Sequence, residues 1–196
     1  MTTNPYNTPV DKVWLDPTKY STLKDGPDFF RDRTASLKVA SGILPKKAAY
    51  EAIPKLAPLA SILAILRATA FLHQSHHWKT QGPTFYGDHL LFDRLYNEGL
   101  EGIDSLAEKA VGLGYGSDLD PIVQSKAVAA VIAIFASEDF IESSLKIESF
   151  ALQAIDAAIL KMKATGTLTS GVDNLLQGLA DVHEGFLYLL KQRQQG

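Results

Sequence analysis

The segment HHWKTQGPTFYGDHLLFDRLYNEGLEGIDSLAEKA, residues 76–110, restricts the fold of this 196-residue chain more than any other. It has the pattern of a helix end, a tight Gly82-Pro83 turn and a second long helix. In such an αα-hairpin, groups about six residues before and after the turn lie opposite one another. His77 and His89 occupy those positions, so we expect their imidazole rings to face each other across the hairpin.

Two carboxylates follow on the second helix. Asp104 and Glu108 are four residues apart, so they lie about 40° from each other around a helix and can share one ion. Two imidazoles with two carboxylates suit a borderline divalent metal such as iron better than Ca²⁺ or Mg²⁺. The pattern therefore indicates a metal site formed by His77, His89, Asp104 and Glu108.

The spacing of these groups does not suit a site within one chain. His89 and Asp104 are fifteen residues apart, which is roughly 22 Å along one straight helix. Metal ligands lie about 2 Å from the ion, so the two groups could not meet on it. If all four bind one ion, the histidines come from one subunit and the carboxylates from another. A two-fold interface would then contain two such sites.

This arrangement resembles the Dps (DNA protection during starvation) miniferritins of the ferritin-like superfamily. The resemblance rests on a histidine followed by Trp78, the Gly-Pro turn, a second histidine twelve residues later, and D-x-x-x-E fifteen beyond it. It covers roughly residues 57–193, and VDNLLQGLADVHEGFLYLL is similar to the last helix of that family. The resemblance implies a four-helix bundle and a hollow homo-oligomeric shell, a dodecamer built from dimers.

The resemblance also implies a function. A ferroxidase would oxidise Fe(II), usually with hydrogen peroxide, at a mono- or di-iron site shared across each dimer interface. Ferric iron would be stored inside the shell, which protects against oxidative damage. Trp78 would lie beside the iron, either as a redox-active aromatic or as a packing residue of the interface. Asp93 is the candidate for mineral nucleation. Asp173 is the candidate for an iron-entry pore, with Asp181 as a second possibility.

Other interpretations of these residues remain open. His73 lies four residues before His77, so an intrahelical two-histidine site is an alternative. His76 is expected at the surface or beside the ligands. His183 has no E-x-x-H context and is expected to pack or form a hydrogen bond at a subunit contact. The alternative function is a non-enzymatic shell, or a DNA-binding protein, on the same fold.

The distribution of apolar residues along the chain does not predict a membrane-spanning helix. The longest apolar stretch, LAPLASILAILRATAFL, has 17 residues and includes Arg67, so it predicts a buried core helix and not a bilayer span. The N-terminus has no apolar signal-peptide core, and we expect a cytoplasmic protein. The chain has no cysteine, which excludes disulfides and thiol catalysis.

The N-terminal part differs from the rest. Seven of the nine prolines fall in the first 58 residues, and residues 1–50 contain eight Lys or Arg against five Asp. DNA binding through lysine-rich tails is known in the family. Here the net charge of the whole chain is −3, and the interspersed Asp residues and aromatics favour an arm docked on a subunit. DNA is therefore a weakly supported partner.

Four long amphipathic segments predict an all-α, ferritin-like four-helix bundle. We expect a largely irregular extension over residues 1–45 and a bundle domain over 46–196, with a short helix near 46–53. The predicted bundle helices are 57–80, 84–112, 138–164 with Ser137 as the cap, and 171–193. A short helix is predicted at 121–134, between the second and third bundle helices.

Overall fold

The computed structural model describes residues 54–195, and these are all helix, turn or irregular chain with no strand. Six α-helices occur in this part of the chain: α1 (Pro58–Lys79), α2 (Phe85–Leu100), α3 (Ile103–Gly112), α4 (Pro121–Phe135), α5 (Phe140–Ala164) and α6 (Ser170–Gln195). A short 3-10 helix, Gly116–Leu119, precedes α4. The predicted extension, the helix at 46–53 and the domain boundary at 46 lie outside the described residues.

The helices form a four-helix bundle. Helix α1 packs against α2 and α5, and α6 completes the ring by packing against α5 and α2. Helix α3 continues along α1 after α2, while α4 lies outside the ring against α1 and α5. The predicted fold class, four bundle helices with a short helix before the third of them, is therefore confirmed.

Helix α1 is the central element of the bundle. Contacts on several sides explain why its sequence is apolar around nearly its whole circumference. Leu59, Ile62, Leu63 and Leu66 are all at most 1% exposed, whereas Arg67 is exposed to solvent. The apolar stretch is a core helix as predicted, and no helix of residues 54–195 is long and apolar enough to cross a membrane.

Two predicted boundaries were wrong. The second bundle helix is interrupted at Glu101 and Gly102, which separate α2 from α3. A β-carbon at Gly102 would lie only 2.1 Å from Leu179 Cδ2 of α6, so a glycine permits this close approach. The cap of α5 is Asp139, whose carboxylate accepts a hydrogen bond from Glu142 N; Ser137 instead accepts one from Asp139 N.

Candidate metal centre

The αα-hairpin of α1 and α2 brings His77 and His89 together. The turn between the helices passes through Gly82, whose φ of 90° favours glycine. The two imidazole rings stack with a centroid distance of 3.9 Å and an interplanar angle of 21°. The structure therefore places these two predicted ligands side by side, each half-buried at the surface of the bundle.

Hydrogen bonds fix the protonation pattern of this pair. His77 Nδ1 lies 3.0 Å from the carbonyl oxygen of His89, and His89 Nδ1 lies 3.0 Å from the carbonyl oxygen of His77. A carbonyl oxygen can only accept, so each Nδ1 carries a hydrogen. In a neutral imidazole the lone pair is then on Nε2, the form in which histidine binds a metal. The hairpin therefore leaves the lone pair of each neutral ring on Nε2.

A carboxylate and two aromatic side chains surround the histidine pair. Asp93 Oδ1 lies 3.9 Å from His77 Nε2, so a negative charge is close to a candidate metal-binding atom. Phe85 stacks on His89 with a centroid distance of 5.1 Å. Trp78 is 67% exposed beside His77. Asp93 is four residues after His89 on the same helix face, so its spacing could have indicated this position before the structure was known.

The two acidic candidates lie elsewhere. Asp104 and Glu108 are both exposed on α3, beyond the interruption that ends α2. Within residues 54–195 of one chain, no three His, Asp or Glu residues are arranged so that they could hold a metal ion. The structure thus joins the two histidines of the predicted site and leaves its two carboxylates apart from them.

Asp173, the pore candidate, lies in the first turn of α6 and is partly exposed. Its Oδ1 accepts a hydrogen bond of 2.9 Å from Gln177 Nε2. The carboxylate thus retains contact with solvent, and its role in iron entry stays a prediction.

The other three histidines are buried inside the bundle. His183 is 1% exposed, and its Nδ1 lies 2.5 Å from Oε2 of the fully buried Glu148. His73 Nε2 lies 3.4 Å from the other oxygen of the same carboxylate, so the structure pairs His73 with Glu148 and not with His77. His76 is 3% exposed and stacks on Phe140. The expected surface position of His76 was therefore wrong.

This buried group was missed by the sequence reasoning. Glu148 was not considered, and His183 was expected at a subunit contact. Burial lowers the pKa of His73 well below its ordinary value, and the neighbouring His76 and His183 lower it further. Burial also lowers the pKa of His76 to about 4, with a smaller contribution from the charge of Lys79. Both rings are therefore neutral near pH 7.

The sequence matches a known family over most of the bundle. The sequence model of the ferritin-like domain aligns with residues 56–179, which is more than half of the chain. The chain belongs to the ferritin-like family. The matched region includes α1 to α5, so both histidines of the surface pair lie within this ferritin-like domain.

Solved structures with the same fold include two Dps proteins. Dps from Thermosynechococcus elongatus superposes with a TM-score of 0.61 at 22% identity, covering 70% of this chain and 89% of that one. DpsC from Streptomyces coelicolor gives a TM-score of 0.60 at 24% identity, covering 78% and 88%. The expected likeness of this ferritin-like protein to Dps is confirmed in its fold.

A sequence relative is described as an uncharacterized protein in the bpoA2 5' region of Kitasatospora aureofaciens. It is 32% identical to this ferritin-like chain over 111 residues, which are 55% of this chain and 71% of the relative. Its description assigns no activity.

Proposed function

We propose that this ferritin-like chain is a Dps-like miniferritin with ferroxidase activity. It binds Fe(II) at sites shared by two subunits, oxidises it with hydrogen peroxide and stores the ferric product inside a homo-oligomeric shell, a dodecamer built from dimers. Two Fe(II) ions and one H₂O₂, with two protons, give two Fe(III) ions and two waters. Pairing the two one-electron steps in this way consumes peroxide without releasing a hydroxyl radical, which would protect the cell.

The geometry of His77 and His89 is the observation that carries this proposal. Their reciprocal hydrogen bonds to backbone carbonyl oxygens assign the proton of each ring to Nδ1 and the lone pair to Nε2. Because the rings are held by the hairpin before any metal binds, little ordering is required when Fe(II) arrives.

The remaining ligands are proposed to come from a second copy of the chain. Asp104 and Glu108 of the partner subunit would complete a set of two imidazoles and two carboxylates, with Glu108 as the bridging ligand if a second iron binds. Deprotonated carboxylates and neutral imidazoles stabilise Fe(III) relative to Fe(II), so this set favours loss of an electron. Both acidic side chains are exposed on α3 and therefore accessible to a partner.

Large apolar side chains near the histidines support a subunit contact there. Phe71 is 57% exposed, Trp78 67%, Tyr86 73% and Leu90 49%. They belong to the two helices that carry the histidine pair. A group of exposed aromatic and aliphatic side chains is typical of a surface that another protein covers. In this proposal Asp93 contributes to mineral nucleation and Asp173 to iron entry.

Iron oxidation by the purified full-length chain tests the function. Anaerobic protein given Fe(II) and then peroxide should show rapid ferric absorbance, which His77→Ala or Asp104→Ala should abolish. Glu138→Ala is a matched control, because Glu138 is an exposed acid between α4 and α5, and this variant should retain full activity. Fe(II) that binds without being oxidised would instead support the non-enzymatic shell.

Complementation between inactive variants tests whether the site is shared. A dimer of one His77→Ala subunit and one Asp104→Ala subunit contains one site with both changes and one site with neither. Co-assembly of equal amounts should therefore restore about a quarter of the wild-type sites, since about half of the dimers are mixed. A site within one subunit predicts no recovery, and a stable monomer in light scattering would contradict the proposal directly.

A further inference from the structure

The last turn of α1, residues 76–79, carries His77, so its position determines where the imidazole ring of His77 lies. Of its four side chains only that of His76 is buried, with 3% exposure; the next is half-buried and the last two are exposed. The end of a helix frays easily, because its last carbonyl groups lack partners within the helix. His76 is therefore the side chain that attaches this turn to the interior of the bundle.

The ring of His76 contacts two other helices. It stacks on Phe140 of α5, with a centroid distance of 4.7 Å and an interplanar angle of 13°. It meets Phe92 of α2 edge-on, with a centroid distance of 5.2 Å. Its Nδ1 shares a hydrogen bond of 3.0 Å with Oγ of Ser144, a fully buried residue of α5. One side chain thus connects the end of α1 to both α2 and α5.

These inner contacts involve residues close to the surface histidine pair in both helices. His76 precedes His77 in α1, and the buried Phe92 follows His89 by three residues in α2. The surface rings are joined by hydrogen bonds to main-chain carbonyl oxygens, so their positions depend on how the two backbones are placed. The contact between His76 and Phe92 joins the same two stretches of backbone from the inside of the bundle.

We propose that His76 is a positioning residue of the candidate metal centre, and that its hydrogen bond with Ser144 holds the last turn of α1 where His77 and His89 stack. The inference rests on the proposed function, in which the two surface histidines bind Fe(II). His76 itself is not a ligand and acts through the main chain of α1. An apolar side chain could fill the same space, but a hydrogen bond is directional and also restricts rotation of the helix end.

The expected effect of His76 is on the affinity for the metal. Ligands that are held in the binding geometry by supporting residues bind more tightly than ligands that must be ordered. A partner that orients a metal ligand by a direct hydrogen bond typically contributes about 10- to 100-fold to metal affinity. Because His76 acts on His77 through the main chain, we expect the lower end of that range, about tenfold.

Two adjacent serines of α5 provide a matched test. Ser143 and Ser144 are both 0% exposed, and their hydroxyl groups bond to different helices. Ser143 Oγ donates to the carbonyl oxygen of Phe135 at the end of α4, at 2.7 Å, whereas Ser144 Oγ pairs with His76. Ser143→Ala and Ser144→Ala therefore remove the same group at equal burial, and both should lower the stability of the protein. The change at Ser144 also removes the hydrogen bond with His76.

Equilibrium dialysis of the assembled full-length protein with Co²⁺ measures metal binding without oxidation. The wild type should bind Co²⁺, and His77→Ala should abolish this binding. Ser144→Ala should weaken it about tenfold, whereas Ser143→Ala should leave it within about twofold of the wild type. His76→Phe retains an aromatic ring for stacking but not the hydrogen bond, so it should match Ser144→Ala. The double variant should be no weaker than either single variant, because both changes remove one interaction.

Fe(II) oxidation by peroxide gives a second readout, which a loss of folded protein would change differently. Ser144→Ala and His76→Phe should raise the Fe(II) KM about tenfold with little change in kcat, since all four proposed ligands remain. Loss of folded protein would instead lower the apparent kcat at an unchanged KM. That second result would count against a positioning role.

The outcomes separate this inference from the ferroxidase proposal. Equal Co²⁺ affinity of the Ser143→Ala and Ser144→Ala variants would overturn the positioning role, and so would Co²⁺ binding by the wild type that does not depend on His77. A wild type that binds Co²⁺ through His77 but does not oxidise Fe(II) would contradict the ferroxidase proposal alone. In that case weaker Co²⁺ binding by Ser144→Ala would still support the role of His76.

Discussion

Gly102 offers a sharp test of how the bundle is packed. It lies between α2 and α3, at the interruption of the second bundle helix, with φ −87° and ψ −10°. These angles suit alanine, so Gly102→Ala introduces no backbone strain. The added methyl group would nevertheless lie 2.1 Å from Leu179 Cδ2 and 3.4 Å from Leu179 Cγ. Leu179 is 7% exposed and must move within the core to make room.

Two opposing effects determine how much Gly102→Ala changes the free energy of unfolding. Overpacking of a core by one methyl group costs about 1–3 kcal/mol in the free energy of unfolding. Replacing glycine by alanine at a helical position returns about 0.5–1 kcal/mol. Gly178→Ala on α6 measures the second effect alone, because its added β-carbon meets no atom within 4 Å in the described residues. We therefore expect Gly102→Ala to be less stable than Gly178→Ala by about 1–3 kcal/mol.

A double-mutant cycle identifies the responsible contact. Urea unfolding at one fixed protein concentration gives the free energies, because subunit assembly contributes to the apparent stability. In a Leu179→Ala background the obstructing side chain is absent, so Gly102→Ala should become stabilising by about 0.5–1 kcal/mol. The same destabilisation in both backgrounds would refute the assigned contact between Gly102 and Leu179.

Three further changes have defined outcomes. Asp88→Asn weakens the pairing with Arg193 and should cost about 1 kcal/mol at pH 7 by urea unfolding, because Arg193 is partly exposed. The hydrogen bond from Arg193 holds the pKa of Asp88 below 3.8. The stability that this pair contributes is therefore present above pH 3.8 and is lost as the pH falls through the lowered pKa. Below about pH 4, the free energy of unfolding should decline more steeply in the wild type than in the variant. Asp120→Ala removes the carboxylate that accepts hydrogen bonds from Ile122 N and Val123 N at the start of α4, and a lower thermal midpoint should reveal a loss of about 1 kcal/mol in stability. Asp93→Asn removes a negative charge 3.9 Å from His77 Nε2 and should raise the Fe(II) KM about fivefold with little change in kcat; an unchanged KM would exclude an electrostatic role for Asp93.

Most of the fold could be predicted because its signals are local. Helix α1 was expected at residues 57–80 and is observed at Pro58–Lys79, since Pro58 suits the first turn of a helix. Helix α5 ends before Gly166, whose φ of 68° terminates it as expected. The break at Gly102 could not be predicted, because it accompanies a close contact with Leu179, which lies 77 residues later in the chain.

The difference between local signals and contacts that are distant in the sequence also applies to the two groups of histidines. His77 and His89 are joined by a short turn, so their spacing alone predicts that the rings meet, and the structure bears this out. His73, Glu148 and His183 come from three helices and meet only when the bundle assembles in one register. A single polar residue on an apolar helix face does not indicate which partner it will have, because that partner is distant in the sequence.

Of the two predicted ligand pairs, the histidines form a pair within one chain, whereas the proposed role of Asp104 and Glu108 depends on contact with a second chain. Complementation of His77→Ala by Asp104→Ala is therefore the measurement that addresses the part of the site that a single chain leaves open.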